Sequence, residues 1–457
     1  MAEKSDCLFR SKPIPHFAFR ILSALAILLA LATSAFAANG FFSVGQDDGR
    51  WWFFDPDGER FFSAGVNVVA PGGHYCPALG YSPYHENIIA LYGSEAAWAD
   101  VTEQRLRDWN FNTLGGWSDF GLANETPYTV VLYMSGADWM SGFVPDYWGQ
   151  DFYDRVADTA AGCAARADDS RLIGWFIDNE MRWGPDWRRV ADLFADYIAF
   201  LPEAPGKRIM VAWLHQRYGG NLAALNAVYG WNLTNWSDLL QLTEVSPLPK
   251  NKTQADDREA WTAFVADHFF QVTAQAIRAA DPNHLVMGAR FVSWCTPQVV
   301  LEAAAQYCDV ISVNHYLLWD FYAWLHETLR EKVRFVSAED MLSAYNEISG
   351  LPVLISEFSM RGLDAVPPST YPPNWFFKTA DTQTERTAWA MAFVRQCTHS
   401  DYVIGYHWFD YMDEPALGRF DGENSNFGLV TEMDKPYAML VAAFTMANLE
   451  AYQWPFE

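Results

Sequence analysis

The sequence is short of cysteine and of basic residues. Its 457 residues include six cysteines, which form no CxxC pair and no cluster with histidine. This spacing excludes a disulfide scaffold and a structural zinc site, and we interpret the cysteines as scattered buried thiols. A single disulfide is the alternative in an exported protein, although the spacing does not say which pair would form it. Lysine and arginine total 31 against 56 aspartates and glutamates, which gives a formal net charge of −25 at pH 7. Because an acidic surface repels phosphate, nucleic acid and anionic membranes are poor candidate partners.

The common sequence signatures of metal and cofactor enzymes are missing as well. The chain contains no HExxH motif, no GxSxG elbow and no glycine-rich phosphate loop. These three motifs are typical of zinc hydrolases, serine hydrolases and nucleotide-binding proteins, respectively. We therefore expect neither a metal nor a cofactor.

A long apolar run occurs once, near the N-terminus, over residues 21–32. It follows several basic residues and leads to the small residues Ala35 and Ala37. This order is typical of a secretory signal peptide, and the run is too short to span a bilayer comfortably. We expect cleavage after Ala37, a secreted or periplasmic protein, and a single catalytic domain over residues 38–457.

Aromatic residues, by contrast, make up 16% of the chain and include 21 tryptophans. Sugar rings present apolar C–H faces that stack on such side chains, although tryptophan is also a large core residue. The excess is therefore a weak indication of a carbohydrate ligand.

Short apolar or β-branched runs alternate with helical patterns along most of the chain. Such alternation is typical of parallel strands joined by crossover helices. The eight candidate strands are residues 61–68, 112–115, 129–133, 172–178, 285–289, 310–313, 353–356 and 403–408. The helical stretches are residues 95–109, 151–167, 187–280, 297–307, 338–348, 382–397 and 435–449. Together they predict an α/β fold, a (β/α)8 TIM barrel with a long helical insertion after strand four.

Residues 38–60 follow a different pattern. Four aromatic residues, 51–54, precede the turn-forming quartet Asp55-Pro56-Asp57-Gly58, after which Phe61 and Phe62 follow. This order predicts a β-hairpin. We expect the hairpin to cap the N-terminal mouth of the barrel and to have a structural role.

The fourth and seventh candidate strands each end in a glutamate. Strand four leads through apolar residues to Asp178, Asn179 and Glu180, and strand seven leads to Glu357. Active sites of this barrel lie at the C-terminal ends of the strands. Hydrolysis of a glycosidic bond needs one carboxylic acid and one carboxylate, and these two glutamates supply such a pair. Either glutamate alone would equally fit a solvated carboxylate at a strand end.

The sequences around both glutamates resemble the catalytic motifs of glycoside hydrolase clan A. Within the clan, residues 175–184 and 405–411 resemble the family 50 β-agarases, and residues 213–226 are similar to a segment of the family 42 β-galactosidases. The resemblance implies that Glu180 is the general acid/base, that Glu357 is the nucleophile, and that Asn179 donates to the 2-hydroxyl of the sugar. Asp410 and Glu414 stand where the agarases are expected to have amides.

Other residues near strand ends are candidate contacts for the sugar. Tyr316 follows strand six, and its hydroxyl can hydrogen-bond the nucleophile and favour the ionised form. Trp408 is a candidate floor beneath the sugar ring, with a core position as the alternative. The further candidates for substrate binding are Asn67, Trp183, His315 and His407. Trp117 and Trp319 also follow strand ends, where stacking on a sugar and packing in the core are equally expected.

The sequence thus predicts a secreted retaining glycoside hydrolase that acts on a β-linked polysaccharide or oligosaccharide. A galactan of the agarose type is the first choice of substrate. A β-galactosidase or another β-glycanase of the same clan is the alternative within enzymes. A non-catalytic glycan-binding barrel is the alternative of another class, and the presence of both glutamates argues against it.

Overall fold

The computed structural model describes residues 38–121, 125–316, 341–373 and 376–453. The signal peptide expected over residues 1–37 and the candidate platform Trp319 lie outside these residues.

The described chain begins with a small antiparallel sheet, β1 (Ser43–Asp47), β2 (Arg50–Phe54) and β3 (Arg60–Phe61). Strands β2 and β3 are joined by the turn that the sequence predicts, in which Asp55 Oδ1 accepts hydrogen bonds from the backbone N–H groups of Asp57 and Glu59. Residues 60–61 belong to this sheet, so the first barrel strand begins later than expected, at Ser63.

A second sheet of nine parallel strands forms the barrel. Its strands are β4 (Ser63–Val66), β5 (Thr113–Leu114), β6 (Tyr128–Val131), β7 (Leu172–Phe176), β8 (Leu285–Val286), β9 (Phe291–Val292), β10 (Ile311–His315), β11 (Val353–Phe358) and β12 (Val403–Trp408). Each strand pairs with the next in chain order except β8 and β9, and β12 pairs with β4. The predicted parallel barrel is therefore confirmed.

Strands β8 and β9 together make the fifth barrel strand. Strand β8 pairs with β7 and β9 pairs with β10, so this strand contacts both of its neighbours in succession. Between the two halves, Gly288 (φ 73°) and Arg290 (φ 47°) take left-handed backbone conformations that bend the chain. The Asp309 N–H donates to the Val286 carbonyl over 2.8 Å and joins the fifth strand to the start of the sixth.

Helices lie around the barrel near the predicted stretches, and the helix Pro83–Tyr92 is an additional one that the sequence analysis did not predict. They cover Pro83–Tyr92, Glu95–Asp108, Gln150–Cys163, Leu193–Ala199, Pro205–Arg217, Leu222–Tyr229, Lys252–Ala280, Gln298–Ala304, Met341–Ser349, Gln383–His399 and Ala438–Glu450, with 3-10 turns at Ala164–Arg166 and Trp236–Gln241. Side chains that accept from backbone N–H groups fix several N-termini, among them Ser94, Asn251 and Thr382. The insertion predicted over residues 187–280 is largely helical, but its first helix begins at Leu193 and non-helical stretches separate the helices that follow.

The N-terminal sheet closes the lower end of the barrel, at which the parallel strands begin. Phe42 and Phe53 belong to one buried cluster with barrel residues that include Ile173, Leu354 and Ile404. Arg50 and Trp51 also hydrogen-bond the backbone around the start of β12. Burial of these aromatic rings is the physical basis of the cap, because the hydrophobic gain scales with the apolar area removed from water.

All five cysteines of the described ranges are buried free thiols. Over the same ranges, no helix combines the length and the apolar character needed to cross a membrane.

Candidate active site

The C-terminal ends of the first four barrel strands and the bend within the fifth share an uncommon backbone feature. A residue other than glycine adopts a left-handed conformation there in each case, at Val68 (φ 57°), Trp117 (φ 63°), Tyr133 (φ 56°), Glu180 (φ 48°) and Arg290 (φ 47°). Bulky residues rarely take such angles. Each such backbone conformation costs about 1–3 kcal/mol and persists only where the surrounding structure enforces it. Such conformations cluster at functional sites. Val68, Trp117, Tyr133 and Glu180 line the cavity described next, and Arg290 contacts two residues of its wall, Asn179 and Glu357.

A cavity of about 1030 Å³ opens at this end of the barrel. Glu180 and Glu357 both line it, together with Asn179, Asn314 and Tyr316. Aromatic side chains cover much of the remaining wall, namely Trp117, Tyr133, Trp139, Trp187, Trp294, Tyr371, Phe376, Phe377, Phe409, Phe420 and Phe427. Concave, largely apolar sites with a few convergent polar groups are typical of ligand binding.

One amide group joins the two glutamates. Asn314 Nδ2 lies 3.1 Å from Glu180 Oε1 and 2.9 Å from Glu357 Oε2. Glu180 Oε2 also accepts from Trp139 Nε1 at 2.9 Å, and Glu357 Oε2 accepts from the guanidinium of Arg290 at 3.3 Å. The topology therefore brings the ends of strands four and seven together, and the side chain from strand six lies between them.

Burial raises the pKa of Glu357 to about 8, and the negative charge of Glu180 acts in the same direction. The charges of Arg290 and Arg419 and a hydrogen bond from the Tyr316 hydroxyl oppose this rise in the pKa. Glu357 is nearly inaccessible to solvent, which explains why desolvation is the largest cause. Below a pH of about 8, the buried pair therefore keeps a proton.

This raised pKa predicts a pH-dependent cost in stability. Between the usual glutamate pKa of 4.5 and the folded value of about 8, the folded pair of Glu357 and Glu180 together holds a proton that the unfolded chain has lost. Folding stability therefore falls as the pH rises through this window. We expect Glu357→Gln to raise Tm relative to the wild type by a few degrees at pH 8.5, and by progressively less towards pH 4.5. Thermal unfolding across this pH range measures the difference, and a difference that is constant with pH would contradict the prediction.

Comparison with known proteins gives relatives that are glycoside hydrolases. A family model described as β-galactosidase, glycoside hydrolase family 42, matches residues 153–360. Beta-agarase A from Vibrio sp. (strain JT0107) is 30% identical over 89% of this chain and 45% of its own length. The chain is therefore similar to enzymes of glycoside hydrolase clan A.

Two more relatives extend this comparison within the clan. Beta-agarase B from the same Vibrio strain is 26% identical over 91% of this chain and 48% of its own length. A crystal structure of an agarase, AgWH50C, superposes with a TM-score of 0.74 at 25% identity, and the match covers 98% of this chain and 72% of that one. The chain thus spans about half the length of the curated relatives that it matches.

The structure places Asn179 and Tyr316 in the cavity, as the sequence predicts. Asn179 Oδ1 accepts from Arg290 Nε at 2.8 Å and from Asn314 Nδ2 at 3.2 Å. With its oxygen held in this way, Asn179 has its Nδ2 group left to donate to a sugar hydroxyl. The Tyr316 hydroxyl hydrogen-bonds Glu357, which is the contact expected from the sequence.

Trp408 does not line the cavity, so the prediction that it forms a floor beneath the sugar ring is wrong. Its side chain is fully buried, packs against Phe358 and Phe444 at ring centroid distances of 5.2 and 5.1 Å, and donates to the Phe427 carbonyl. Successive side chains of a strand point to opposite faces, and both faces of a barrel strand are buried. The next residue, Phe409, reaches the cavity instead.

Two histidines that the sequence suggested as sugar contacts are also core residues. His407 is buried against Ser63 Oγ at 2.9 Å, and burial lowers its pKa to about 3. His315 is buried against Ser293 Oγ at 3.0 Å and stacks on Phe393, and burial lowers its pKa to about 4. Both rings are therefore neutral and held by serine hydroxyls.

Trp183 and Asn67 likewise lie behind the cavity wall. Trp183 is buried and stacks on Phe270 in the helical insertion. Asn67 has no exposed surface and donates to the carbonyls of Ser356 and Trp408. Neither residue lines the cavity, and both support the site from behind.

Sequence reasoning missed several residues of the site. Arg290 directly follows the candidate strand 285–289, so the rule that strand ends carry function would have found it. Trp139 and Trp187 lie in loops after strands three and four, where no periodic pattern singles them out.

The two carboxylates that replace expected amides are both buried and paired. Asp410 Oδ2 lies 2.5 Å from His74 Nε2, and Glu414 Oε1 lies 3.2 Å from Arg419. Arg419 also pairs with Asp421 and Glu423 and lines the cavity with them. Within the described ranges, no group of histidine, cysteine, aspartate and glutamate is placed to hold a metal ion.

Proposed function

We propose that this chain is a retaining glycoside hydrolase that cleaves β-glycosidic bonds in a galactan of the agarose type or in its oligosaccharides. The relatives named above as β-agarases support the substrate class. Export through the N-terminal signal sequence and a catalytic domain over residues 38–457 are part of the same proposal.

The observation that carries the proposal is the amide of Asn314 between the two carboxylates. Its Nδ2 distances of 3.1 and 2.9 Å limit the separation of Glu180 Oε1 and Glu357 Oε2 to at most about 6 Å. Retaining glycosidases have carboxyl groups about 5–5.5 Å apart, whereas inverting enzymes need about 6.5–9.5 Å to admit a water. The short separation supports double displacement.

In the first step, a carboxylate oxygen of Glu357 forms a bond to the anomeric carbon while the bond to the leaving oxygen breaks. Glu180 gives its proton to that leaving oxygen. In the second step, Glu180 takes a proton from water, the water oxygen attacks the anomeric carbon, and Glu357 is released. Trp139, which donates to Glu180, is placed to orient this residue through both steps.

The wall of the cavity supports a carbohydrate substrate. Trp187 and Trp294 are in ring contact, with centroids 5.3 Å apart, and line the cavity together with Trp139. Aromatic faces next to carboxylates and amides provide the two kinds of contact that a sugar ring needs, with its apolar C–H faces and its polar hydroxyls.

A β-galactosidase is the second candidate, favoured by the family model that matches residues 153–360. The two activities differ in their substrates and products. An agarase cleaves a polymer, whereas a β-galactosidase releases a terminal galactose from a short substrate. A non-catalytic barrel is disfavoured, because binding alone would not require two carboxylates linked by one amide.

Parallel incubation with agarose, porphyran, β-galactan and β-glucan tests the proposal. We expect defined oligosaccharides from agarose and little product from β-glucan, with no product from Glu357→Ala as the matched control. NMR of the first product should show the β-anomer before mutarotation. Release of galactose alone from short substrates would favour the β-galactosidase, and an initial α-anomer would exclude double displacement.

A further inference from the structure

We infer that Arg290 is a positioning residue that directs the negative charge of the catalytic pair to Glu357 and the proton to Glu180. This inference rests on the proposed function, since it explains how two similar carboxyl groups take different roles. It concerns a residue that neither the catalytic motifs nor the sequence resemblance pointed out.

The backbone of Arg290 is fixed at the bend between β8 and β9. The residue has no exposed surface, and its left-handed φ of 47° turns the side chain under the cavity. Its N–H donates to Ser312 Oγ at 2.9 Å, which ties this bend to the sixth barrel strand. Arg290 therefore enters the site from a rigid element.

The guanidinium of Arg290 divides its donors among three side chains. Nε donates to Asn179 Oδ1 at 2.8 Å, one terminal nitrogen lies 3.3 Å from Glu357 Oε2, and the other lies 3.5 Å from Asn67 Oδ1. The ring of Trp117 lies 4.4 Å from the central carbon of the guanidinium. A planar fork suits this arrangement, whereas an ammonium is a point charge on a flexible stem.

Arg290 also contacts Glu180, but through its uncharged backbone carbonyl. The Glu180 N–H donates to the Arg290 carbonyl at 3.3 Å. The side chain of Glu180 accepts from Trp139 and Asn314, which are neutral donors. Arg290 thus contacts Glu357 through a cation and Glu180 through its backbone, and this asymmetry favours the anion on Glu357.

Several charged or titratable groups face Glu357 from the surrounding elements, namely Glu180, Arg290, Arg419, Tyr316 and Tyr133. Two of them are cations. Arg419 forms ion pairs with Glu414, Asp421 and Glu423. Among the described residues, Arg290 has an ion pair with Glu357 and with no other carboxylate. Arg290 is therefore the cation whose charge is committed to the nucleophile.

The experiment compares Arg290→Met and Arg290→Lys with the wild type on an aryl β-galactoside that has a good leaving group. A 2-deoxy-2-fluoro glycoside that traps the nucleophile counts the active sites, so that rates are given per functional site. With an activated leaving group, the acid limb of the kcat/KM profile reports the ionisation of Glu357 in the free enzyme.

For Arg290→Met we expect the acid limb to move up by about one pH unit or more, and kcat/KM per site at pH 6.5 to fall by roughly 100-fold or more. For Arg290→Lys we expect the acid limb to stay near its wild-type position, since the charge is kept. Its kcat should still fall about 10-fold or more, because one ammonium cannot reproduce the fork that holds both Asn179 and Glu357.

Arg386→Met is the matched control for the loss of a buried arginine. Arg386 is buried, donates to the carbonyls of Met360 and Gly428, and does not line the cavity. We expect this variant to lose stability and yield while its pH profile per active site stays that of the wild type.

An acid limb of Arg290→Met that coincides with that of Arg386→Met would overturn the inference. If Arg290→Met does not fold, Arg290→Lys decides, and a wild-type kcat per site in that variant likewise overturns it. A wild type that hydrolyses none of the galactosides or galactans would instead refute the proposed function, on which this inference rests.

Discussion

Glu357→Ala should be inactive on every glycoside, whereas Glu180→Ala should still turn over an aryl glycoside whose leaving group needs no protonation. In double displacement, the nucleophile takes part in every turnover, while the acid is needed only where the leaving oxygen must be protonated. On oligosaccharides, we expect Glu180→Ala to lose roughly 10²–10⁴-fold in kcat. Initial rates on paired aryl and oligosaccharide substrates measure this contrast.

Added azide should distinguish the two variants by the products that they form. In Glu180→Ala, azide enters the vacated position of the base and attacks the glycosyl enzyme, which gives the β-glycosyl azide. In Glu357→Ala, azide attacks the substrate directly and gives the α-azide. The opposite pattern would exchange the two roles, and the absence of azide product from both variants would count against the assignment.

Trp408→Ala should mainly destabilise the fold. Its indole is fully buried between Phe358 and Phe444, and truncation of a buried tryptophan costs about 3–5 kcal/mol. We expect Tm to fall by roughly 5–10 °C while KM of the remaining folded enzyme stays within about twofold of the wild type.

Phe409→Ala is the comparison for this prediction, since the neighbouring side chain lines the cavity. That variant should raise KM for oligosaccharides at a temperature where it remains folded. If Trp408→Ala raised KM as much as Phe409→Ala does, the core position of Trp408 would not explain its effect.

The barrel could be predicted from the sequence because its evidence is local. Each strand is a short apolar run between helical stretches, and eight such runs follow one another in order. Glu180 and Glu357 were identified for the same reason, since each directly follows a strand and lies in a specific motif. The direction in which strand residues face was harder to predict, because all side chains of β12 are buried and periodicity does not separate the two faces.

The rest of the site depends on contacts between distant parts of the chain. Asn314 could be placed at a strand end, but its contacts with two glutamates follow from barrel closure. Arg290 could likewise be placed after a candidate strand, but its contacts depend on a left-handed bend in the fifth strand, and no residue preference signals such a conformation. Trp139 and Trp187 reach the cavity through loops whose paths are set by packing.

The cap at the lower end of the barrel ties together the two ends of the described chain. Arg50 donates to the Val403 carbonyl across 353 positions, and the Trp51 N–H donates to the Asp401 carbonyl. During synthesis, the first hairpin therefore emerges long before its final partners exist. Contacts of such large sequence separation form late, after the entropy of loop closure has been overcome. Closure of the barrel over the hairpin is accordingly expected to come late in folding.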